Sequence, residues 1–368
     1  MFVDPGASGR GPIVAVKDNI DVRGMPTTAG GRHLPAGPRR ADAPCVARLR
    51  AAGCVIVGKT NLYEYAMGGS SRNEHYGDAR NPRDVRRDAG GSSSGSGAAV
   101  AAGLCDAALG TDTLGSVRIP AAFCGVVGYK PPRRAIPRRG VFPNAPSLDA
   151  VGVLAPDMAT AADIVDLMRA TPVARARIAR PRLAVPWSWL AGVDREVRDA
   201  FERTARGLPD IALPPHGDFG PPAFAVVQYE SAAVHRRWWR EAPERYGSEV
   251  RELLRGNLRV TRRQYDAARR ECLRLRGAMR RALATVDAIV LPTTPYVAPV
   301  LTRRAPPARR AASEWTRAFN VTDSAVFSLP IPRRGLPVGL QIAANDEATA
   351  IAVASYAERR LGDGRGLA

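Results

Sequence analysis

Residues 90–130 read GGSSSGSGAAVAAGLCDAALGTDTLGSVRIPAAFCGVVGYK, and this stretch decides the fold. Two turns rich in glycine and serine, residues 90–97 and 110–116, each lead into a run of small residues at helical spacing. A helix N-terminus exposes unpaired N–H groups, so a serine there lies beside donors that can hold a developing oxyanion. A flexible linker is the alternative, but a linker lacks the Ala/Val-rich continuation and the embedded Thr111-Asp112-Thr113. The stretch therefore predicts two serine-bearing turns that come together in a folded domain.

Strands and helices alternate along the rest of the chain, which indicates an α/β fold with a largely buried sheet. Apolar periodicity predicts strands at residues 13–16, 54–57, 288–291 and 339–342, and helices at residues 45–52, 61–67, 98–104 and 223–284. Residues 302–312 are basic and rich in proline, which predicts a mobile loop.

Bulk composition bounds the class of protein. The 368 residues suffice for one large domain, and a hydrophobic content of 45% can fill its core. No apolar run of about 18 residues is present, and residues 1–10 lack the apolar segment of a signal peptide, so neither a membrane span nor secretion is expected. Five scattered cysteines without a CxxC pair favour reduced thiols in the cytoplasm and argue against a disulfide framework or a zinc site.

The net charge of +19 raises the question of an anionic partner such as nucleic acid. Almost all of the positive charge is arginine, dispersed over predicted helices with acidic residues between, in a chain also rich in alanine, glycine and proline. Such a composition accounts for the charge without selection for a partner. We therefore disfavour nucleic-acid binding.

Only three lysines occur in the sequence, at positions 17, 59 and 130. Arginine cannot deprotonate near neutral pH, whereas a desolvated lysine can, so a lysine that acts as a base cannot be replaced by arginine. Lys17 ends a predicted strand in the pattern V-A-V-K-D-N, where it is a candidate base for a serine nucleophile. The alternative, which the residues alone favour, is a surface ion pair of Lys17 with Asp18 or Asp21.

Two other motifs compete for the chemistry. Residues 53–60 read GCVIVGKT and satisfy the phosphate-loop pattern G-x-x-x-x-G-K-T. A phosphate loop has to be a flexible turn after a strand, whereas residues 54–57 are themselves the apolar run of a strand. We therefore interpret Lys59 as a structural or surface lysine. A Ser-His-Asp triad stays open, although no histidine lies near the serine turns in sequence; the four are His33, His75, His216 and His235.

Four motifs together resemble the amidase signature family. The stretches at residues 90–104 and 110–131 closely resemble the amidase signature itself. VAVKDNIDVRG at 14–24 is similar to the family's lysine motif, AGCVIVGKTNLYEYAMGGSS at 52–71 to its intervening segment, and LPVGLQI at 336–342 to its closing strand. The resemblance implies one large domain over residues 1–368, with a mixed, mostly buried β-sheet covered by helices on both faces. Its implied parts are a signature core at 13–168, a mostly helical variable region at 169–285, and closing strands with a C-terminal helix at 286–368.

The resemblance also implies a catalytic triad for amide hydrolysis. Ser116 takes the position of the nucleophile, Ser92 that of a proton bridge preceded by a cis peptide bond, and Lys17 that of the base. The nucleophile attacks the amide carbonyl, ammonia or an amine leaves, and water clears the acyl-enzyme. No metal and no cofactor take part.

Further site residues follow from the same resemblance. The implied oxyanion donors are the backbone N–H groups of Thr113, Leu114, Gly115 and Ser116. The implied supporting residues are Ser93, Asp112 and Arg118. The implied substrate wall includes Met67 and Gly68.

The sequence departs from the family pattern at two places. The family usually has glycine at position 114, where leucine keeps the N–H but adds bulk and disfavours a positive φ. We interpret Leu114 as a tolerated change that tunes substrate choice. In addition, only 16 residues precede Lys17, whereas relatives carry a helical region there, so a partner or a homodimer is expected to cover apolar surface.

Three functions remain in competition. The leading hypothesis is an amidase acting on a small or medium carboxamide, in the cytoplasm and without a membrane. The second is the glutaminase subunit of a tRNA-dependent amidotransferase, the one case in which nucleic acid takes part. The third is a catalytically impaired amidase-fold protein that serves as a binding module.

Overall fold

The structure is a computed structural model that describes residues 2–3, 9–302 and 311–368. Its strands are β1 (Phe2–Val3), β2 (Ile13–Lys17), β3 (Val55–Thr60), β4 (Ala107–Asp112), β5 (Val127–Lys130), β6 (Ala150–Ala155), β7 (Leu183–Ala184), β8 (Ala288–Pro292), β9 (Ala325–Pro330) and β10 (Gly339–Ala344). Its helices are α1 (Pro44–Ala51), α2 (Ser94–Ala101), α3 (Arg118–Cys124), α4 (Met158–Leu167), α5 (Arg195–Ala205), α6 (Gly220–Glu241), α7 (Ser248–Asn257), α8 (Arg262–Leu283), α9 (Thr316–Val321) and α10 (Glu347–Gly362).

All these strands belong to one mixed sheet in the order β1-β3-β2-β4-β6-β5-β9-β10-β8-β7. The neighbours β3, β2 and β4 run parallel, and the pairs from β4 to β8 run antiparallel. Because strands from both ends of the chain share this sheet, the predicted single α/β domain with a mixed sheet is confirmed.

Helices cover both faces of the sheet, as predicted. Successive residues of a strand point to opposite faces, and β2 and β4 show the alternation directly. Ala15 and Ala108 pack under α2 and α3, whereas Val16 and Leu109 belong to the larger core shared with α1, α4 and α10. Small residues on the α2 and α3 side let these helices approach the sheet closely.

The glycine/serine run is shorter as a loop than the sequence suggested. Helix α2 begins at Ser94, four residues before the predicted start at residue 98. A Cβ atom at Gly95 would lie 2.6 Å from the backbone nitrogen of Asn61, and one at Gly97 would lie 3.0 Å from the Pro120 side chain. Close packing, and not loop flexibility, therefore explains the glycines at positions 95 and 97.

The helix predicted at residues 61–67 is wrong. Only a single 3-10 turn, Glu64–Ala66, forms there, with positive φ values of 51° at Tyr65 and 59° at Ala66. The Tyr65 N–H donates to Ala29 O at 2.7 Å, so a long-range contact takes the N–H that a continuing helix would use. This reversal carries the chain into residues 67 and 68.

Strand β3 removes the phosphate-loop interpretation. Gly58, Lys59 and Thr60 lie inside β3, paired with β2, and not in a turn that opens a helix. Lys59 is fully buried, and its Nζ lies 2.7 Å from Asp18 Oδ1. Lys59 is thus structural and not a surface residue.

Three further observations complete the fold. Along the part of the chain that the structure describes, no helix is both long and apolar enough to cross a membrane. The five cysteines are buried and form no disulfide. The mobile loop predicted at residues 302–312 falls mostly on residues 303–310, which lie outside the described residues.

Candidate active site

The site forms where β2 and β4 end. These strands are parallel neighbours, so their carboxyl ends lie at the same edge of the sheet, which is where α/β proteins usually place ligands. β2 ends at Lys17, and β4 ends at Thr111 and Asp112. The serine turns that precede α2 and α3 meet there, because the Ser93 N–H donates to the backbone oxygen of Ser116 at 3.2 Å.

Lys17 is fully buried and held by hydroxyl groups. Its Nζ donates to Ser92 Oγ at 2.7 Å and to Thr111 Oγ1 at 2.7 Å. Burial lowers the pKa of Lys17 to about 7, against the opposing charges of Asp112 and Asp149. A large fraction of the amine is therefore neutral near pH 7.

The surface ion pair considered for Lys17 is wrong. Asp18 pairs with Lys59 instead, and its Oδ2 accepts hydrogen bonds from Thr28. Asp21 pairs with Arg39 at 3.1 Å. Both carboxylates that could hold Lys17 at the surface are thus engaged elsewhere.

The two candidate serines differ in exposure. Ser92 is fully buried and follows a cis Gly91–Ser92 peptide bond, as the resemblance implied. Ser116 is 8% exposed and lines a cavity of about 200 Å³. Its hydroxyl makes no hydrogen bond with any described residue, Ser92 included, and faces open space.

Asp112 and Arg118 clamp the turn that presents Ser116. The Asp112 carboxylate accepts the N–H of Gly115 at 2.8 Å and that of Val117 at 3.1 Å. The Arg118 Nε and Nη2 donate to the same carboxylate at 3.0 and 2.9 Å. Burial would raise the pKa of Asp112, but Arg118 outweighs burial and holds the pKa below its ordinary value.

The clamp is anchored by residues far along the chain. Arg118 is fully buried and also donates to Thr316 O, Asn320 Oδ1 and Gln341 Oε1, at 2.9, 2.6 and 2.7 Å. Helix α9 supplies Thr316 and Asn320, and β10 supplies Gln341. Five hydrogen bonds thus fix the guanidinium of Arg118.

The predicted set of oxyanion donors needs one correction. The Gly115 N–H already donates to Asp112 Oδ1, so it is not available to an oxyanion. The N–H groups of Thr113, Leu114 and Ser116 donate to no group in the described ranges. These three remain as candidate donors beside the Ser116 side chain.

Leu114 does not strain the turn. The positive φ, 133°, falls on Gly115, where a Cβ atom would lie 2.2 Å from Thr316 Oγ1. Glycine is therefore required at 115, and position 114 accepts a side chain. The Leu114 side chain lines the cavity beside Ser116, as expected for a residue that tunes substrate choice.

The cavity beside Ser116 has a mostly apolar wall. Met67 and Gly68 line it, as the resemblance implied. The remaining described lining residues are Ala66, Gly69, Thr113, Leu114, Ile119, Asn144, Phe224, Val227, Gln228, Leu253, Asn257 and Ser313. A larger cavity of about 970 Å³ shares Gly68, Gly69 and Leu253 with it and opens toward the charged side chains of Arg72 and Glu74.

A Ser-His-Asp triad is not formed among the described residues. His75 contacts Glu64 at 3.1 Å, and His216 lies 3.2 Å from Glu314. His33 and His235 pack in an aromatic cluster around Tyr65. No histidine takes a hydrogen bond from either candidate serine within the described ranges.

Sequence reasoning missed several residues that hold the site together. Thr111 binds Lys17, and Asp149 accepts the Thr113 hydroxyl at 2.7 Å. Thr316, Asn320 and Gln341 hold the Asp112–Arg118 clamp. Only Thr111 carried a local signal, because it lies inside the quoted signature stretch; the others are contacts between distant parts of the chain.

Comparison with known proteins agrees with this geometry. The family model described as Amidase matches residues 10–208 and 230–348. The A-type subunit of glutamyl-tRNA(Gln) amidotransferase from Anaeromyxobacter sp. (strain K) is 37% identical over 408 residues, which cover 96% of this chain and 83% of that protein. A solved amidase structure has a TM-score of 0.91 at 35% identity and covers 96% of this chain and 85% of that one. The solved A-type subunit from Thermotoga maritima has a TM-score of 0.81 at 29% identity and covers 95% of this chain and 85% of that one.

The fold and the site together define a hydrolase of carbon–nitrogen bonds in amides. The chain belongs to the amidase family, also called the amidase signature family.

Proposed function

We propose that this protein hydrolyses a small, uncharged carboxamide through Ser116, Ser92 and Lys17. The observation that carries the proposal is the buried 2.7 Å contact between Lys17 Nζ and Ser92 Oγ, next to the turn that presents Ser116 to a cavity. A lysine whose pKa is about 7 can exchange protons at neutral pH.

The first half of the reaction forms an acyl-enzyme. With Lys17 neutral, the Ser92 hydroxyl donates to Nζ, and rotation of the Ser116 side chain lets its hydroxyl donate to Ser92 Oγ. Ser116 Oγ then attacks the amide carbon while its proton passes to Ser92 and the Ser92 proton passes to Lys17. The carbonyl oxygen becomes an oxyanion that the N–H groups of Thr113, Leu114 and Ser116 stabilise.

The second half restores the enzyme. The tetrahedral intermediate collapses, the C–N bond breaks, and the leaving nitrogen takes a proton back through Ser92 from the Lys17 ammonium. Water then attacks the acyl-enzyme and loses its proton along the same path. The carboxylic acid leaves, and Ser116 regains its proton.

Labelling and turnover test the proposal. A sulfonyl fluoride should attach to Ser116, as read by mass spectrometry, and the wild type should release ammonia from members of a panel of aliphatic carboxamides. Ser116→Ala should abolish both. The matched control is Ser94→Ala, because the buried Ser94 hydroxyl has no partner among the described residues, so its removal should preserve turnover. A folded wild type that neither labels nor hydrolyses any amide would instead support a binding module.

The glutaminase subunit of a tRNA-dependent amidotransferase is the second candidate. The relatives named as subunits of glutamyl-tRNA(Gln) amidotransferase, at 37% identity, favour it. The cavity wall favours the amidase, because glutamine carries an ammonium and a carboxylate, and burying them beside Leu114, Phe224 and Val227 without charged partners is costly. Glutamine hydrolysis that appears only when partner proteins and charged tRNA are added would decide for the amidotransferase.

The setting of the enzyme completes the proposal. Buried, unpaired cysteines suit a reducing compartment, and we keep the cytoplasm as its location. A homodimer or another protein partner stays part of the proposal, as does the division into a signature core, a helical region and closing strands.

A further inference from the structure

Helices α6 and α7 build one wall of the cavity opposite the serine turns. Phe224, Val227 and Gln228 lie three and four residues apart on α6, so they share one face of that helix, and all three line the cavity. Asn257, the last residue of α7, lines the cavity beside them. This wall thus presents two carboxamide side chains among apolar ones.

The orientation of the Asn257 amide is fixed by Ser231. The Ser231 hydroxyl donates to the backbone oxygen of Gln228 at 3.2 Å, which leaves its oxygen free to accept. Asn257 Nδ2 donates to that oxygen at 2.9 Å. The nitrogen therefore faces Ser231, and the oxygen Oδ1 is turned away from it.

The Asn257 oxygen is an unused acceptor. Asn257 is only 6% exposed, yet Oδ1 accepts no hydrogen bond from a described residue and is not sealed off as a buried atom. The Gln228 carboxamide beside it likewise makes no side-chain hydrogen bond within the described ranges. A largely desolvated acceptor gains more from a ligand donor than an exposed one does, because water competes poorly for it.

We propose that Asn257, with Gln228 beside it, selects substrates that carry a second, uncharged N–H or O–H donor away from the scissile amide. This inference rests on the proposed amidase function and names its substrate class. The donor is uncharged because no carboxylate lines this cavity among the described residues, and a buried cation would lack a counter-charge. Apolar contacts with Leu114, Phe224 and Val227 hold the chain between the two polar ends.

Pairs of amides matched in heavy-atom count test the selection. One member of each pair is an ω-hydroxyalkanamide, and the other is the alkanamide with a methyl group in place of the hydroxyl, over a series of chain lengths. At one length the wild type should favour the hydroxyl compound in kcat/KM by about tenfold, the size expected of one good hydrogen bond. No such length, with turnover of the alkanamides intact, overturns the inference and leaves the amidase function standing.

Three variants assign the preference to Asn257. Asn257→Leu should lower the ratio of kcat/KM values to one or below, mainly through KM, because the hydroxyl is then buried without a partner. Asn257→Asp keeps an acceptor and should keep a ratio above one. Asn345→Leu makes the same chemical change at an exposed position and should retain the wild-type ratio. A ratio that persists in Asn257→Leu, or falls equally in Asn345→Leu, overturns the assignment.

Binding to an inactive background separates the two proposals. In Ser116→Ala, calorimetry on the same pairs should show about tenfold tighter binding of the hydroxyl compound, and Asn257→Leu added to that background should remove the difference. Turnover of no amide by the wild type refutes the amidase function. Equal binding of both members of every pair refutes the selection by Asn257.

Discussion

The three lysines of this chain share one property that its arginines rarely have: all three are buried. Lys17 and Lys59 are fully buried and Lys130 is 1% exposed. Burial disfavours the charged form, and it lowers the pKa of Lys17 to about 7 and that of Lys130 to about 8. Lysine was therefore kept where a small, deprotonatable amine fits and a guanidinium would not.

The pH dependence of turnover should report Lys17 directly. Only the neutral amine accepts a proton, so kcat/KM should rise about tenfold per pH unit below pH 7 and level off above it. The measurement is kcat/KM for an aliphatic carboxamide between pH 5.5 and 9, with circular dichroism as the control for folding. A flat profile across that range would contradict the role of Lys17 as base.

The same residue should make stability depend on pH. The pKa of Lys17 is about 7 in the folded state and 10.5 in its ordinary environment, so between these values the unfolded chain binds more protons. The free energy of unfolding should then rise with pH in this window, by at most about 1.4 kcal/mol per pH unit for one proton. The test compares urea unfolding of the wild type and Lys17→Met from pH 7 to 10. The wild type should gain relative to the variant as pH rises, and parallel curves would refute the shift.

At this scale the sequence predicted the chemistry better than the environment. Lys17, Ser92 and Ser116 were marked by their motifs, and the structure brings their backbone segments together. Gly115 was assigned to the oxyanion hole because a local pattern cannot show that its N–H already serves Asp112. The glycine requirement at 115, and not at 114, follows from Thr316, which is 201 residues away in sequence.

Among the elements, the turn from β4 to α3 depends most on one ion pair. Arg118→Met would leave the Asp112 carboxylate buried without its main partner, and breaking a buried pair in this way typically costs about 3–5 kcal/mol. We expect a large loss of thermal stability and of turnover together, because the same turn presents Ser116. Thermal unfolding and amide hydrolysis measure the two effects.

An exposed pair provides the matched control for that variant. Arg237 and Glu241 lie one turn apart on α6 at 2.8 Å, with the arginine side chain 79% exposed. Arg237→Met should change stability by no more than about 0.5 kcal/mol and leave turnover intact. Equal losses in the two variants would show that the Asp112–Arg118 pair has no special role.

The elements themselves were predictable where one interaction dominates. Amphipathic or apolar periodicity gave β2, α1, β8 and β10 within a few residues. The 3-10 turn at Glu64–Ala66 was mistaken for a helix, because its positive φ values are imposed by contacts with residue 29. Strand β9 and helix α9 were missed altogether, since their residues are fixed by packing against distant strands and against the Arg118 clamp.

At the scale of the whole molecule, the sheet closes the site. The signature stretch supplies Ser92, Ser116 and Arg118, but Arg118 is completed only by Asn320 and Gln341. These two arrive with α9 and β10, beyond the long helices α6 and α8. The site is thus a property of the complete sheet, which explains why motif reading found its centre and not its supports.

The distribution of charge over the whole molecule gives a last prediction. The net charge is +19, yet every lysine is inside, so an amine-directed acylating reagent should spare the native protein at all three positions. Brief acylation at pH 8 should leave Lys17, Lys59 and Lys130 unmodified and amide hydrolysis intact, whereas in urea all three should react. Peptide mass spectrometry reads each lysine, and a lysine-containing peptide in the same tube confirms that the reagent is active. Modification of Lys17 in the folded protein would mean that the amine is open to solvent, and an open amine would keep its ordinary pKa and could not serve as the base at neutral pH.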